Sequence, residues 1–195
     1  MELSVLYWGV VLVWFSGGLQ GQGGGDSVEK IFINYRKSGG AYAAALLDHL
    51  LCSHFGEEYV FRASRSIGPG VDYTEALREA VSNCKLMLVV VDEHWQRSIR
   101  ISLGSTLPCW QMEVREAIRQ KKRVIPVLLS GVGGISEFGL PADISQIARL
   151  QYMRFDYRNP SKDVDIMASA LRGILSEGES EARNIANLPS LWSWE

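Results

Sequence analysis

From Glu29 onward the apolar positions alternate between strand-like runs and helical spacing. Lys30-Ile31-Phe32-Ile33-Asn34 is β-branched and aromatic, and predicts a strand. Residues 41–55, AYAAALLDHLLCSHF, carry Leu46, Leu47, Leu50 and Leu51 at helical spacing. Glu58–Arg62 reads as a second short strand, and Ala63–Val71 contains Gly68-Pro69-Gly70, a strong loop signal. Asp72 is placed to cap the following helix, with Glu75 three residues on as in a capping box. Ala76, Leu77, Ala80 and Val81 form that helix's inner face. Lys85–Val91 (KLMLVVV) is apolar without alternation, as expected of a strand buried on both faces. A long connection from Asp92 to Pro108 leads to a helix over 109–121. Arg123–Leu129 predicts a fourth strand, whose Pro126 points to an edge or a strand end. After a Gly-rich loop and a short helix in 130–149, Leu150–Phe155 is a fifth strand. Asp163–Leu175 is the last helix, with Val164, Met167, Leu171 and Ile174 inward.

Five strands alternating with helices predict an α/β domain with a central parallel sheet. Right-handed crossovers and short connections favour the flavodoxin-like order 2-1-3-4-5, with helices on both faces. In such a sheet the ligand crevice lies at the carboxyl ends of the strands, where strands 1 and 3 diverge. That rule selects Asn34–Arg36, Ala63–Val71 and the 92–113 region.

Composition adds boundaries. The 195 residues are 47% hydrophobic and 22% charged, which gives ample apolar side chain for one core. A formal charge of −2 supplies no basic excess, so nucleic acid is not an expected partner. The run Lys121-Lys122-Arg123 reads as complementing a helix C-terminus. Cys52, Cys84 and Cys109 form no CxxC pair or disulfide ladder, so a reduced, cytoplasmic setting is the expectation. Residues 29–175 are taken as the domain, residues 1–28 as a separate apolar and Gly-rich segment, and residues 176–195 as a loose tail.

Residues 3–15, LSVLYWGVVLVWF, are uncharged and nearly all apolar. They are too few for an ordinary membrane span. One reading is a signal peptide, although Glu2 stands where a basic residue belongs. A second is a weak membrane anchor. A third takes Val28 as the start of translation. Gly23-Gly24-Gly25-Asp26 requires purine-rich codons of the kind that bind a bacterial ribosome, and Val28 suits a GTG codon.

Most chemistry is excluded by spacing. His49, His54 and His94 do not form a metal-ligand set with the cysteines, and no metal is expected. There is no G-x-S-x-G elbow and no Walker A sequence. A phospho-accepting receiver domain would use Asp92 at the end of strand 3. It would also need an acidic pair after strand 1, and that place reads Asn34-Tyr35-Arg36. The helix from 109 is more informative. Steps of about 100° per residue put Trp110, Val114 and Ala117 at the centre of its apolar face, with Ile118 beside them. Glu113 falls at the border of that stripe and Glu116 on the solvated side. A carboxylate at such a border, near a crevice, is either partly desolvated and poised for chemistry or a surface group paired with Arg115 or Arg119.

These residues resemble the Toll/interleukin-1 receptor (TIR) domain, of the kind common in bacteria. Ile31-Phe32-Ile33-Asn34-Tyr35-Arg36 is similar to the family's opening strand, usually F-I-S-Y. Val60–Gly70 resembles its second strand and BB loop, with the S-I-x-P-G core at Ser66-Ile67-Gly68-Pro69-Gly70. Leu86–Val91 with Trp95 resembles the third strand and its exit, and Glu113–Leu128 the glutamate-bearing helix and V-I-P-V strand. LQYMRFDYRNP resembles the last strand of actinobacterial-type members. The resemblance spans about Glu29 to Leu175.

The resemblance implies a protein that associates with other TIR domains and hydrolyses NAD+ at the nicotinamide–ribose bond. NAD+ is then substrate, and no cofactor is implied. The family's catalytic glutamate falls on Glu113. Tyr35, Arg36, Ser66, Ile67, Gly68, Trp95 and Trp110 would line the nucleotide crevice, and Ile67, Gly68, Pro69 and Gly70 would contact the next subunit. Ordinary packing or surface charge is the competing account of Tyr35, Arg36 and Trp95. A non-catalytic adaptor is the competing function. Three departures stand out: Cys109 where tryptophan is usual, with Trp110 one place nearer the glutamate; Arg62-Ala63-Ser64-Arg65 where acidic residues are common; and Ser38 in place of a frequent Asp.

Overall fold

The computed structural model describes residues 30–101 and 107–186. The segment 1–28, with its three readings, lies outside the described residues, as does 187–195. Five parallel strands form one sheet in the order β2-β1-β3-β4-β5: β1 Ile31–Tyr35, β2 Val60–Phe61, β3 Leu86–Val91, β4 Arg123–Leu129 and β5 Met153–Phe155. The helices are α1 Ala41–Phe55, the single turn α2 Ala63–Ser66, α3 Tyr73–Asn83, α4 Trp95–Ile101, α5 Cys109–Arg119 and α6 Pro160–Ala186.

Side-chain alternation along the strands divides the core in two. Phe32, Phe61, Met87, Val89, Val91 and Leu128 point to one face, where α3, α4 and α5 supply Leu77, Val81, Trp95, Ile99 and Val114. Ile31, Ile33, Leu86, Leu88, Val90 and Val127 point to the other, against Leu47 and Leu51 of α1 and Val164, Met167 and Leu171 of α6. All six residues of β3 are buried, as its unbroken apolar run requires.

Several element limits differ from the sequence reading, for local reasons. Glu57–Tyr59 form a 3-10 turn, which shortens β2 to Val60–Phe61. Part of the supposed loop, Ala63–Ser66, is helical, and the long connection after Asp92 holds α4. The last helix starts at Pro160 and runs past Leu175 to Ala186, into the segment read as tail. β4 is an interior strand, yet β5 pairs with it only at Val127–Leu129, so Pro126 has a strand neighbour on one side, at Val89. Asp72 caps α3 by accepting from the backbone N–H of Thr74 and Glu75. Glu75 completes no reciprocal box, because its carboxylate turns to Arg78.

Helix α5 ends in a Schellman arrangement. Lys122 N–H bonds to Ala117 O at 2.9 Å and Lys121 N–H to Ile118 O at 3.0 Å, with Lys121 at φ 56° in the region usually given to glycine. The rest of the basic run makes contacts within the chain: Lys122 Nζ donates to the Ser82 carbonyl, and Arg123 pairs with Glu177 on the surface.

Candidate functional site

A buried carboxyl group lies between the carboxyl end of β1 and helix α5, where the topology predicts the ligand site. Asn34 is the fourth residue of β1 and shares the side-chain direction of Phe32, so it faces α5. Its Nδ2 donates to Glu113 Oε2 at 2.7 Å and to the Trp110 backbone carbonyl at 2.8 Å. Glu113 is 6% exposed. Neither arginine considered as its partner pairs with it: Arg115 pairs with Asp143, and Arg119 with Glu116. Among the described residues no cation lies at salt-bridge distance from Glu113. Burial therefore acts almost unopposed and pushes its pKa up to about 7, with the Asn34 hydrogen bond the lesser, opposing influence.

Glu116 corrects the sequence reading. It is buried rather than solvated, because Arg119 and Gln120 fold back over its carboxylate. Those bonds, with Arg119 the larger influence, hold its pKa below the usual carboxylate range. One helix thus carries two carboxyls with opposite shifts, and environment alone separates them.

The other predicted residues divide. Trp110 is half-buried, and its ring sits 5.7 Å from that of Trp95, tilted by 51°. Trp95 itself is fully buried and belongs to the core rather than to the crevice wall. The Trp95 Nε1 and Asn34 Oδ1 atoms are buried without a hydrogen-bond partner. Tyr35, next in the strand to Asn34, packs on the opposite face of the sheet with the cluster of Ile33 and Leu47, so the structure does not bring it to Glu113; its hydroxyl donates to Ser64 Oγ at 3.1 Å. Arg36 does not present a free cation. Its guanidinium holds Asp92 in two bonds of 3.0 and 2.7 Å, with Ser38 Oγ as a further acceptor. Asp92, the would-be phospho-acceptor, is thereby neutralised, and it also accepts from His94 N–H. Gly39 permits this approach, because a Cβ there would overlap the Arg36 guanidinium and come within 2.8 Å of the Asp92 carboxyl.

The loop after α2 is anchored at one end and open at the other. Ser66 Oγ accepts from Arg62 N–H at 3.2 Å, and Ile67 is partly buried against the core. Gly68, Pro69 and Gly70 are exposed, and Val71 is 56% exposed. Gly70 takes φ 83°, which explains glycine at that place. The root of the loop shows why basic residues stand at 62 and 65. Asp48, 2% exposed on α1, receives Arg62 Nε at 2.9 Å and Arg65 Nε at 3.0 Å.

Sequence reasoning selects Asn34 only as part of the segment Asn34–Arg36, with no role of its own, and does not single out Asp48. The signal for Asn34 was a polar residue closing an apolar run on the parity of Phe32. For Asp48 it was one acid among leucines, with two arginines three residues apart after the second strand.

Two cavities lie elsewhere. One of about 550 Å³ is lined by Lys122, Ile125 and Tyr152, and one of about 330 Å³ by Tyr42, Leu46 and Tyr157. Glu113 lines neither. Among the described residues no group of His, Cys, Asp and Glu is placed to hold a metal, and no helix is long and apolar enough to cross a membrane.

Comparison with known proteins places the fold. A family profile described as the TIR domain matches residues 31–168. The TIR domains in the activated Roq1 resistosome directly recognizing the pathogen effector XopQ match with a TM-score of 0.52 at 12% identity, over 75% of this chain and 99% of that one. The TIR domain of the Toll-related receptor TRR-2 from the lower metazoan Hydra magnipapillata matches with a TM-score of 0.46 at 16% identity, over 74% and 96%. No curated protein sequence matches the chain.

Proposed function

The chain belongs to the TIR domain family, a signalling module, and from that premise we propose that it hydrolyses NAD+ at the nicotinamide–ribose bond with Glu113 as the catalytic carboxylate. The observation that carries this reading is the Glu113 carboxyl itself: buried at the strand 1–strand 3 crevice, bonded by one neutral amide, and paired with no described cation. A structural carboxylate in such a place would ordinarily be neutralised by an arginine, as Glu116 is.

The chemistry asks for little more. Nicotinamide leaves as a neutral molecule when the C1′–N bond breaks and its electron pair stays on the ring nitrogen. No general acid is needed. The ribosyl carbon develops oxocarbenium character, which an adjacent carboxylate stabilises before water attacks C1′ and gives up a proton. The carboxylate works only when ionised, and a pKa of about 7 leaves it partly ionised at neutral pH.

At 6% exposure the carboxyl is closed to a substrate as large as a dinucleotide. The reading therefore includes activation. Self-association through the exposed tip Gly68–Gly70 moves the loop that begins at Ile67 and opens the crevice. The bland alternative rests on the same closure: a TIR adaptor that acts by TIR–TIR association alone would keep Trp95 and Glu113 sealed as they are here.

The test is nicotinamide release from NAD+ by the purified chain at rising concentration. Expected is turnover that rises steeply with concentration and falls by about two to four orders of magnitude in Glu113→Gln. Turnover unaffected by that change would refute the mechanism, and no release under any assembling condition would favour the adaptor.

A further inference from the structure

We propose that Asn34 is the positioning residue of this site, holding the Glu113 carboxyl and the first turn of α5 against the carboxyl end of β1. The inference rests on the catalytic reading of Glu113 and names the residue through which the fold controls it.

The geometry supports this in three ways. First, both hydrogens of one amide nitrogen are used, one on Glu113 Oε2 at 2.7 Å and one on the Trp110 carbonyl at 2.8 Å. The two acceptors lie three residues apart on α5, so a single side chain fixes the helix turn and the carboxyl it carries relative to the sheet. Second, the amide orientation is dictated. A flipped Asn34 would aim its oxygen at the Trp110 carbonyl and the carboxylate, two acceptors. Third, Asn34 is fully buried and its Oδ1 has no partner. An apolar residue of similar size would avoid that cost, so core packing alone does not explain the amide.

Charge around the pair is already committed. On α5 itself, Glu116 is held by Arg119, and Arg115 by Asp143. Arg36 beyond the end of β1 and Asp92 after β3 hold one another, and on α3 Arg78 holds Glu75. Val89 and Val91 of β3 offer only apolar surface on this face. The Cys109 thiol is the nearby titratable group that senses Glu113: although the residue is exposed, partial desolvation of the thiol, and then the Glu113 charge, push its pKa up. Asn34 is thus the polar contact that favours the ionised carboxyl without bringing a full charge.

The experiment follows the Glu113 side-chain carboxyl by 13C NMR across pH in the full chain, assigned by the resonance lost in Glu113→Gln. It is repeated in Asn34→Leu, close in size without the donor, and in Asn34→Asp, isosteric with an acceptor in its place. Circular dichroism confirms folding of each variant. Expected is an upward move of the Glu113 titration by about one pH unit or more, a tenfold change in proton affinity, in the folded variants, larger in Asn34→Asp. Where the parent turns over NAD+, the acid limb of kcat moves upward by the same amount and kcat falls more than KM changes. A Glu113 titration unmoved in every folded variant would overturn the proposal. A parent chain that releases no nicotinamide would sink the catalytic reading, while the NMR titration still decides the role of Asn34.

Discussion

Asn34 and Glu113 stand 79 positions apart in the chain and 2.7 Å apart in the fold. Their contact joins the end of β1 to the first turns of α5 and leaves the carboxyl with a neutral partner. That choice of partner sets the proton affinity of the site. An arginine in place of Asn34 would hold the carboxyl ionised and occupied, and an apolar residue would hold it protonated.

The raised Glu113 pKa links the site to stability. The group moves from an ordinary 4.5 to about 7 on folding, so the folded chain keeps a proton that the unfolded chain releases. Stability therefore falls as pH rises from about 4.5 towards about 7, and then levels off. The full effect is on the order of 3 kcal/mol. Glu113→Gln removes it, and the variant is expected to be the more stable protein at pH 8 and nearly equal to the parent at pH 4. Thermal unfolding across that range checks this, and a parent curve parallel to the variant's would exclude a raised pKa.

Asp48 ties the root of the loop to α1 through Arg62 and Arg65. Asp48→Ala leaves both guanidinium groups without their buried acid. The cost is expected near about 3 kcal/mol, the low end for a broken buried pair, because both arginines keep some contact with solvent. Urea denaturation measures the cost. Faster tryptic cleavage after Arg62 or Arg65 would show that the loosening is local to the loop.

Asp72 caps α3 through two backbone amides, at 2.9 and 3.0 Å. Asp72→Ala is expected to cost about 1 kcal/mol, and Asp72→Asn much less, because the amide oxygen can still accept. Equal losses in the two variants by chemical denaturation would argue against the cap.

The three thiols differ in reach. Cys109 is exposed, Cys52 half-buried and Cys84 buried. Burial raises both Cys52 and Cys84 to about 11, with Asp48 adding to the effect at Cys52. Cys109 is also raised, so all three are expected to react slowly at pH 7, with Cys109 first. Peptide mapping after brief alkylation gives the order, and labelling of Cys84 ahead of Cys109 would contradict it.

The sequence by itself determined the α/β class, the strand order and the identity of the helix that carries Glu113. Those features are written in local periodicity and in connection rules that hold for any parallel sheet. Periodicity also placed Glu113 at the border of an apolar stripe, and the family resemblance pointed to the same residue. It placed Glu116 in solvent, wrongly, because a helical wheel holds no information about Arg119 and Gln120 folding over a carboxylate. Tertiary structure alone decided the rest. Arg36 is held by Asp92, Trp95 lies wholly in the core, and Glu113 meets Asn34 rather than an arginine. Each of these depends on which side chains two distant elements bring face to face after a crossover. That is set by strand register and helix docking, neither of which leaves a periodic trace in the chain.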